Sequence, residues 1–347
     1  MNARVERLRG LLTEPLLVTA AVNVRYLTGL GSSNAALLVE PERVRLFSDF
    51  RYAEAARAVE GAEFVQTTRD LVAALAELLD GPIGFEAEAL SYADHRTLAG
   101  AGLELVPRSG LVERLRAVKE DGELDAIRAA AAVTDRVYER LAQERFTGRT
   151  ERELARRVEG LLREEGADAT SFPVIVATGE NGARPHAVPG ERTIESGQTV
   201  VVDAGCTLDG YASDCTRTFS TGQLPEQLEE AYRVCLEAQL AGLAAVRPGA
   251  RSRAVDAVAR EVIDATGFAG AFGHGLGHGV GLHVHEAPTL SPRTSAEETL
   301  EAGNVVTVEP GIYLEGLGGI RIEDIVVVGA DGPEVLSPFT KELLTVE

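Results

Sequence analysis

Over the first 110 residues, apolar runs of about four to six residues alternate with helix-like stretches: PLLVTA (15–20), AALLVE (35–40), RVRLFS (43–48), LVAALAELLD (71–80), PIGFE (82–86) and LELVP (103–107). Strand-length runs separated by helices predict a small α/β domain. The chain turns polar at AVKEDGEL (117–124) and then enters an alanine-rich helix over about 123–145. A domain boundary is placed there, giving domains 1–118 and 119–347. A second helix opens at Thr150 with Glu153 three positions on, the spacing of a capping box. Helices over about 225–246 and 251–266 end at Pro-Gly or Gly. Between and after them, TVVVDAG, GYASDCTRTF, NVVTVEPGIY and GIRIEDIVVV read as strands. The second domain is therefore expected to be α+β, with helices over one face of a mainly antiparallel sheet.

Four acidic residues break the apolar pattern of these strands. Asp203 and Asp214 lie on consecutive strands joined near Leu208-Asp209-Gly210. A Leu208–Asp209 loop puts the two carboxylates opposite each other. An Asp209–Gly210 turn puts Asp203 opposite Thr216, with Asp214 a diagonal neighbour. Either register points both the same way, because side chains alternate with period two, and leaves them about 4.5–8 Å apart. Two bare carboxylates so placed repel, and a cation is the natural remedy. Glu309 shares its face with Val305 and Thr307, and Glu323 shares its face with Arg321 and Ile325. Each glutamate is thus aimed toward a core side and needs a partner. That partner is either a cation or simply Arg321.

The histidines favour the cation. The chain has six, four of them in HGLGHGVGLHVH (274–285) and a fifth at His186. In that stretch Gly275, Gly277, Gly279 and Gly281 alternate with larger residues and let the backbone approach something closely. No GxGxxG or Walker pattern and no lysine occurs there, which argues against a phosphate loop; HExxH and GxSxG are also absent. Carboxylates with one histidine form a hard, oxygen-rich donor set that suits Mn²⁺ or a similar ion better than structural zinc, and four carboxylates carry charge enough for two dications.

Composition narrows the partners. The 347 residues carry 34 basic and 54 acidic side chains, a net charge of −20, which disfavours nucleic acid and anionic membranes. Only Lys119 and Lys341 are lysines; the other 32 basic residues are arginines. The three cysteines, Cys206, Cys215 and Cys235, form no Cys-x-x-Cys pair. With no h-region and no long apolar stretch, a cytoplasmic protein is expected.

Taken together, Asp203 with Asp214 eleven positions on, HGLGHGVGLHVHE, VEPG and Glu323 resemble the pita-bread metallopeptidases: methionine aminopeptidase, aminopeptidase P, prolidase and the metal-free creatinase. The resemblance implies an α+β C-terminal pita-bread domain, a curved mainly antiparallel sheet covered by helices. It implies two divalent ions, Mn with Co or Zn as alternatives, held by Asp203, Asp214, His278, Glu309 and Glu323. In that family pattern Asp203 is bidentate on one ion, Asp214 and Glu323 bridge, and Glu309 also serves as acid/base. His186 corresponds to a proton-shuttling or substrate-binding histidine and His285 to one that stabilises the intermediate. His274 and Arg321 match positions used by the Xaa-Pro-cleaving branch, whereas His95 and His283 are read as structural. NVRYLTG (23–29), SDFRYAEAA (48–56) and IGFEAEALSY (83–92) resemble the creatinase-type N-terminal domain. That domain implies peptide substrates with proline in second position and a homodimer. Release of the N-terminal residue by an Xaa-Pro aminopeptidase is the first expectation, an Xaa-Pro dipeptidase the second, and a non-catalytic binding protein of the same fold the third.

Overall fold

The computed structural model describes residues 3–346; Met1, Asn2 and Glu347, at the outer ends of the two expected domains, lie outside them. The chain forms two compact units, one through Arg116 and one from Ala117 onward.

The first unit runs α1 (Ala3–Arg9), β1 (Leu16–Val18), α2 (Ala21–Thr28), β2 (Ala35–Val39), β3 (Val44–Ser48), α3 (Ala53–Arg57), β4 (Glu63–Gln66), α4 (Leu71–Leu78), β5 (Pro82–Glu86), α5 (Tyr92–Gly100), β6 (Glu104–Arg108) and α6 (Leu111–Ala117). Its strands form one mixed sheet in the order β4-β3-β2-β1-β5-β6. The β1–β2 and β2–β3 pairs are antiparallel, and the remaining three are parallel. Leu17, Leu38, Phe47 and Ile83 bury against Leu75 of α4 and Leu98 of α5. The apolar runs foretell five of the six strands. They miss β4, an edge strand whose EFVQ sequence has only two apolar residues and buries none fully.

The second unit runs α7 (Asp121–Leu141), α8 (Glu151–Glu164), β7 (Ala169–Thr170), β8 (Ile175–Thr178), α9 (Gly179–Gly182), β9 (Thr199–Ala204), β10 (Cys206–Leu208), β11 (Tyr211–Ala212), β12 (Cys215–Ser220), α10 (Glu226–Ala245), α11 (Ser252–Asp264), β13 (Gly277–Gly279), β14 (Glu286–Leu290), β15 (Val305–Val308), β16 (Gly311–Leu314), β17 (Gly318–Arg321), β18 (Asp324–Gly329) and β19 (Gly332–Val335). The capping box forms as expected: the Glu153 amide donates to Thr150 Oγ1 at 3.2 Å, and the Thr150 amide to Glu153 Oε2 at 2.8 Å. All pairings between these strands are antiparallel.

The expected sheet is present as interrupted ladders: β12-β9-β8, β11-β10-β7, β14-β13-β15-β18-β19 and β16-β17. Period-two alternation gives each ladder two different faces. Val200, Val202, Cys215 and Phe219 pack under α7 and α8, while Val306, Val308, Val326 and Val328 pack under α10 and α11. The intervening residues Asp203, Thr216 and Arg321 take the opposite faces, and Thr307 shares its face with Val305 and Ile325, which pack with Ile127 and Ala131 of α7. The Asp209–Gly210 turn is the one realised. Leu208 pairs with Tyr211, and both turn residues have positive φ, 47° and 80°, as a type I′ turn requires. Asp203 therefore lies opposite Thr216.

Candidate metal centre

The four carboxylates sit where the ladders break. Asp203 is the last residue but one of β9, and Asp214 immediately precedes β12. Glu309 lies between β15 and β16, just before Pro310, which has no amide hydrogen to continue a ladder, and Glu323 lies between β17 and β18. At such breaks a side chain can leave the pleat and point into the hollow of the bent sheet. There the ligand atoms of Asp203, Asp214 and Glu323 lie within 4.8 Å of one another; so do those of His278, Glu309 and Glu323, and those of Asp214, His278 and His285. Glu323 belongs to the first two sets and Asp214 to the first and third, so the groups form two adjoining clusters linked through these carboxylates.

His278 approaches both clusters, its Nε2 lying 3.3 Å from Glu309 Oε1 and 3.6 Å from Asp214 Oδ2. Its Nδ1 is 3.1 Å from the Gly279 carbonyl. A carbonyl only accepts, so Nδ1 carries a hydrogen and Nε2 is left to face the carboxylates; against burial, the hydrogen bond and charge of Glu309 raise the His278 pKa, and a metal ion would take the place of the Nε2 proton. Tight backbone packing makes this approach possible: a Cβ on Gly277 would lie 2.0 Å from the Thr307 carbonyl oxygen. The His278 amide donates to Thr307 Oγ1 at 3.1 Å.

Arg321 does not pair with either glutamate. Its Nη2 donates to Asp203 Oδ2 at 2.6 Å, its Nε to Thr216 Oγ1 at 3.0 Å and its Nη1 to the Tyr313 hydroxyl at 3.0 Å. The simple Arg321–glutamate pair considered from the sequence is therefore replaced by an Arg321–Asp203 pair. The Tyr313 hydroxyl in turn lies 2.9 Å from His274 Nε2, while His274 Nδ1 is held by the Gly275 carbonyl at 2.8 Å. With Nδ1 as donor, His274 Nε2 accepts from Tyr313, so hydrogen bonds run in one direction from Arg321 through Tyr313 to His274. His186 and His285 line the same cavity of about 510 Å³, beside Phe172, Pro173 and Ile175. The His285 ring stands edge-on to His278, with centroids 4.3 Å apart. His95 and His283 lie elsewhere: His95 packs on Phe85, and His283 lines a separate hollow.

The charges are strongly coupled. Burial, then the neighbouring Glu323 and Asp203, push the Asp214 carboxyl well above its ordinary range. Burial, with Glu309 and Asp203, does the same to Glu323. Asp203 is raised by burial despite Arg321. Glu309 behaves differently. Burial raises it, but the hydrogen bond and charge of His278, with His274 and Arg321, outweigh burial and hold it at about 2. Burial lowers the pKa of His274 and of His285, whose neighbour His278 adds to the effect. These carboxylates are crowded beyond what one arginine neutralises.

The donor set fits divalent ions on two grounds. Asp203 Oδ1 and Glu323 Oε1 are buried without a hydrogen-bond partner, an arrangement that is costly unless a cation or water meets them. The donors are mostly carboxylate oxygens joined by the imidazoles of His278 and His285, a hard set suited to divalent ions. Tyr313 and Thr216 were missed from the sequence. Parity could have found both. Tyr313 shares a face with Gly311, the residue that pairs with Arg321, and Thr216 is the partner of Asp203, with its hydroxyl donating to Glu323 Oε2 at 2.7 Å.

Two linked clusters of hard ligands in one cavity form groups that could hold divalent cations. Residues 125–330 match Metallopeptidase family M24 and residues 4–118 match the Creatinase/Prolidase N-terminal domain. The chain belongs to metallopeptidase family M24. It is 39% identical to an Xaa-Pro dipeptidase of Pyrococcus furiosus over 67% of either chain. An Xaa-Pro dipeptidase from Bacillus anthracis superposes with a TM-score of 0.95 at 37% identity, covering 99% of both chains. An X-Pro aminopeptidase from Thermotoga maritima superposes with a TM-score of 0.89 at 33% identity, covering 99% of this chain and 100% of that one. Among the described residues no helix is long and apolar enough to cross a membrane.

Proposed function

We propose that this chain hydrolyses the peptide bond before proline in Xaa-Pro dipeptides. The observation that carries this reading is the complete set Asp203, Asp214, His278, Glu309 and Glu323 in one cavity, in a chain similar along its whole length to an Xaa-Pro dipeptidase. The two dipeptidase likenesses move the preference from aminopeptidase, the first expectation from the sequence, to dipeptidase. The aminopeptidase remains the second reading because of the Thermotoga likeness. Asp203, Asp214 and Glu323 would hold one ion and His278, Glu309 and Glu323 the other, with Asp214 reaching both. Mn²⁺ is the proposed metal, with Co²⁺ or Zn²⁺ as alternatives.

When bound, such a pair supplies Lewis acidity and a water made nucleophilic at neutral pH. The chain's own groups do the rest. Glu309, ionised at neutral pH, takes the proton of the attacking water and delivers it toward the leaving proline nitrogen. His285, neutral at that pH, donates to the oxygen that gains charge as the carbonyl is attacked. His186, across the cavity, moves a proton or holds the substrate. The Arg321–Tyr313–His274 chain fixes the His274 ring for the proline side of the substrate, and Phe172, Pro173 and Ile175 exclude water from the reacting bond.

The test assays Mn²⁺-loaded protein on a Leu-Pro dipeptide, on a Leu-Pro-Yaa-Zaa tetrapeptide and on a Leu-Ala control. Turnover of the dipeptide alone is the expected result. Cleavage of the tetrapeptide assigns the aminopeptidase, and cleavage of neither proline peptide refutes both readings. The creatinase-type N-terminal domain supports a homodimer, for which light scattering should give twice the monomer mass. The ligand set and a charge of −20 favour a small peptide substrate over nucleic acid or a membrane, and a cytoplasmic location remains the proposal.

A further inference from the structure

Arginine supplies 32 of the 34 basic side chains, yet both lysines lie beside the candidate site. Lys119 precedes α7, and its side chain is only 1% exposed. Its ammonium donates to Glu286 Oε1 at 2.8 Å and to the Ala117 carbonyl at 3.3 Å, while its own amide is tied to the Gly303 carbonyl at 2.9 Å. Glu286 directly follows His285 and begins β14, and its second oxygen accepts from the His283 amide at 3.4 Å. The segment carrying His285 is thus held from behind by Lys119.

Lys341 makes the corresponding contact at the other end of the site, where its ammonium donates to Asp324 Oδ2. Asp324 directly follows Glu323 and is fully buried. The same carboxylate accepts from Arg217 Nη2 at 2.9 Å, Gln239 Nε2 at 2.9 Å and Ser337 Oγ at 3.2 Å. Arg217 also donates to the Glu323 carbonyl, and the Glu323 amide donates to the Thr216 carbonyl at 3.1 Å. Both sides of the peptide bearing Glu323 are pinned, and Lys341 adds a second cation to Asp324 beside Arg217.

We infer that Lys119 and Lys341 are positioning residues, each holding a carboxylate that directly follows a site residue, His285 or Glu323, and that arginine cannot serve at either place. The inference rests on the two-ion reading of the site. An ammonium is compact and carries three donors on a flexible stem, whereas a guanidinium is a planar fork with five. The Lys119 ammonium reaches both the Glu286 carboxylate and the Ala117 carbonyl from a side chain only 1% exposed, so a bulkier planar fork has to displace what surrounds it. At Asp324, Arg217 and Ser337 fill one carboxylate oxygen and Lys341 already shares the other with Gln239, so a fork there brings a second donor nitrogen for which no free oxygen remains.

The experiment uses the full chain with Lys341→Arg and Lys119→Arg, and the Lys→Met variants beside them. Isothermal calorimetry of Mn²⁺ into the metal-free protein, and the His285 ring resonances in ¹H–¹⁵N spectra, are the readouts. Neither requires turnover. Lys341→Arg is expected to weaken Mn²⁺ binding about tenfold, the scale set by groups that orient metal ligands. Lys119→Arg is expected to leave Mn²⁺ binding within about twofold while displacing the His285 resonances and lowering kcat at little-changed KM on the dipeptide. The Met variants should move the same readouts in the same directions. Wild-type Mn²⁺ binding in Lys341→Arg and unmoved His285 resonances in Lys119→Arg, with at most a lower Tm, would overturn the inference. A wild-type protein that takes up no Mn²⁺ refutes the two-ion reading and Lys341's part with it, while the His285 resonances still decide Lys119.

Discussion

The residue that ties the site together is Glu323, the carboxylate shared between the Asp203–Asp214 cluster and the His278–Glu309 cluster. Its Oε2 takes the Thr216 hydroxyl at 2.7 Å, and its Oε1 is buried with no partner. Removing this group withdraws a ligand from both clusters at once. In Glu323→Ala, Mn²⁺ stoichiometry measured by calorimetry should fall from two per chain to one or none, and kcat/KM by at least about 10³-fold, since both halves of the centre lose a ligand. Two ions retained at wild-type affinity would refute the shared-ligand arrangement. Tyr313 acts at a different level, because its hydroxyl joins Arg321 to His274. Burial, set against the opposing pull of Arg321, pushes its hydroxyl up to about 12, so it stays protonated and can donate to His274. Tyr313→Phe leaves a buried Arg321 donor and the His274 acceptor without their shared partner. An unmade buried hydrogen bond costs about 1–3 kcal/mol, so kcat/KM on the dipeptide should fall about 10–100-fold. Mn²⁺ binding should be unchanged. A loss of metal instead would mean that Tyr313 supports the ligands rather than the substrate side.

At the scale of elements, the contact of β13 with β15 places His278. Gly277→Ala drives a methyl into the Thr307 carbonyl, and the two strands have to separate. Overpacking of this kind costs about 1–3 kcal/mol, and here it also moves a ligand. Both Tm and Mn²⁺ affinity should fall, whereas Gly273→Ala, where an added Cβ meets nothing within 4 Å, should change neither. Helix α7 offers a test of pH dependence away from the metal ligands. Burial raises Asp135, which accepts the Phe339 amide at 3.2 Å, to about 6 from an ordinary 3.8. The folded state then holds a proton more tightly than the unfolded chain. Stability is fully present below pH 3.8 and is lost as pH rises through 6. Asp135→Asn keeps an acceptor without the charge, so it should raise Tm by about 2–4 °C at pH 7.5 and by progressively less toward pH 4. An equal shift at both pH values would assign the effect to packing. The strand parity that gave Asp203 and Asp214 one face, and set Glu309 beside Thr307 and Glu323 beside Arg321, was legible in the sequence because period two is a local property of the backbone. The ladder breaks at Gly205 and Pro310 were not, because they depend on which strands meet across the bent sheet. Nor was the choice of Asp203 as the partner of Arg321, since those residues lie 118 positions apart.

At the scale of the molecule, the second unit contains every residue proposed for the chemistry. Asp203, Asp214, His278, Glu309 and Glu323 lie beyond Ala117, as do His186, His274, His285, Tyr313 and Arg321. Among the described residues, three apolar clusters of the second unit draw on residues from Leu124 onward, and the first unit closes a cluster of its own between its sheet, α4 and α5. A unit with an apolar core of its own can fold alone. Lys119, which holds Glu286, lies just inside the same boundary, so the cut has to precede it. A fragment beginning at Ala117 should therefore unfold cooperatively with its own Tm and bind Mn²⁺ with an affinity within about threefold of the full chain, an energy difference of under about 1 kcal/mol. If turnover of the dipeptide persists as well, the first unit is dispensable for the chemistry. If Mn²⁺ binding persists while turnover is lost, the first unit contributes to holding the peptide, and the light-scattering mass of fragment and full chain shows whether that contribution comes through a dimer. A fragment that folds but binds no Mn²⁺ would contradict the placement of the whole centre within one unit.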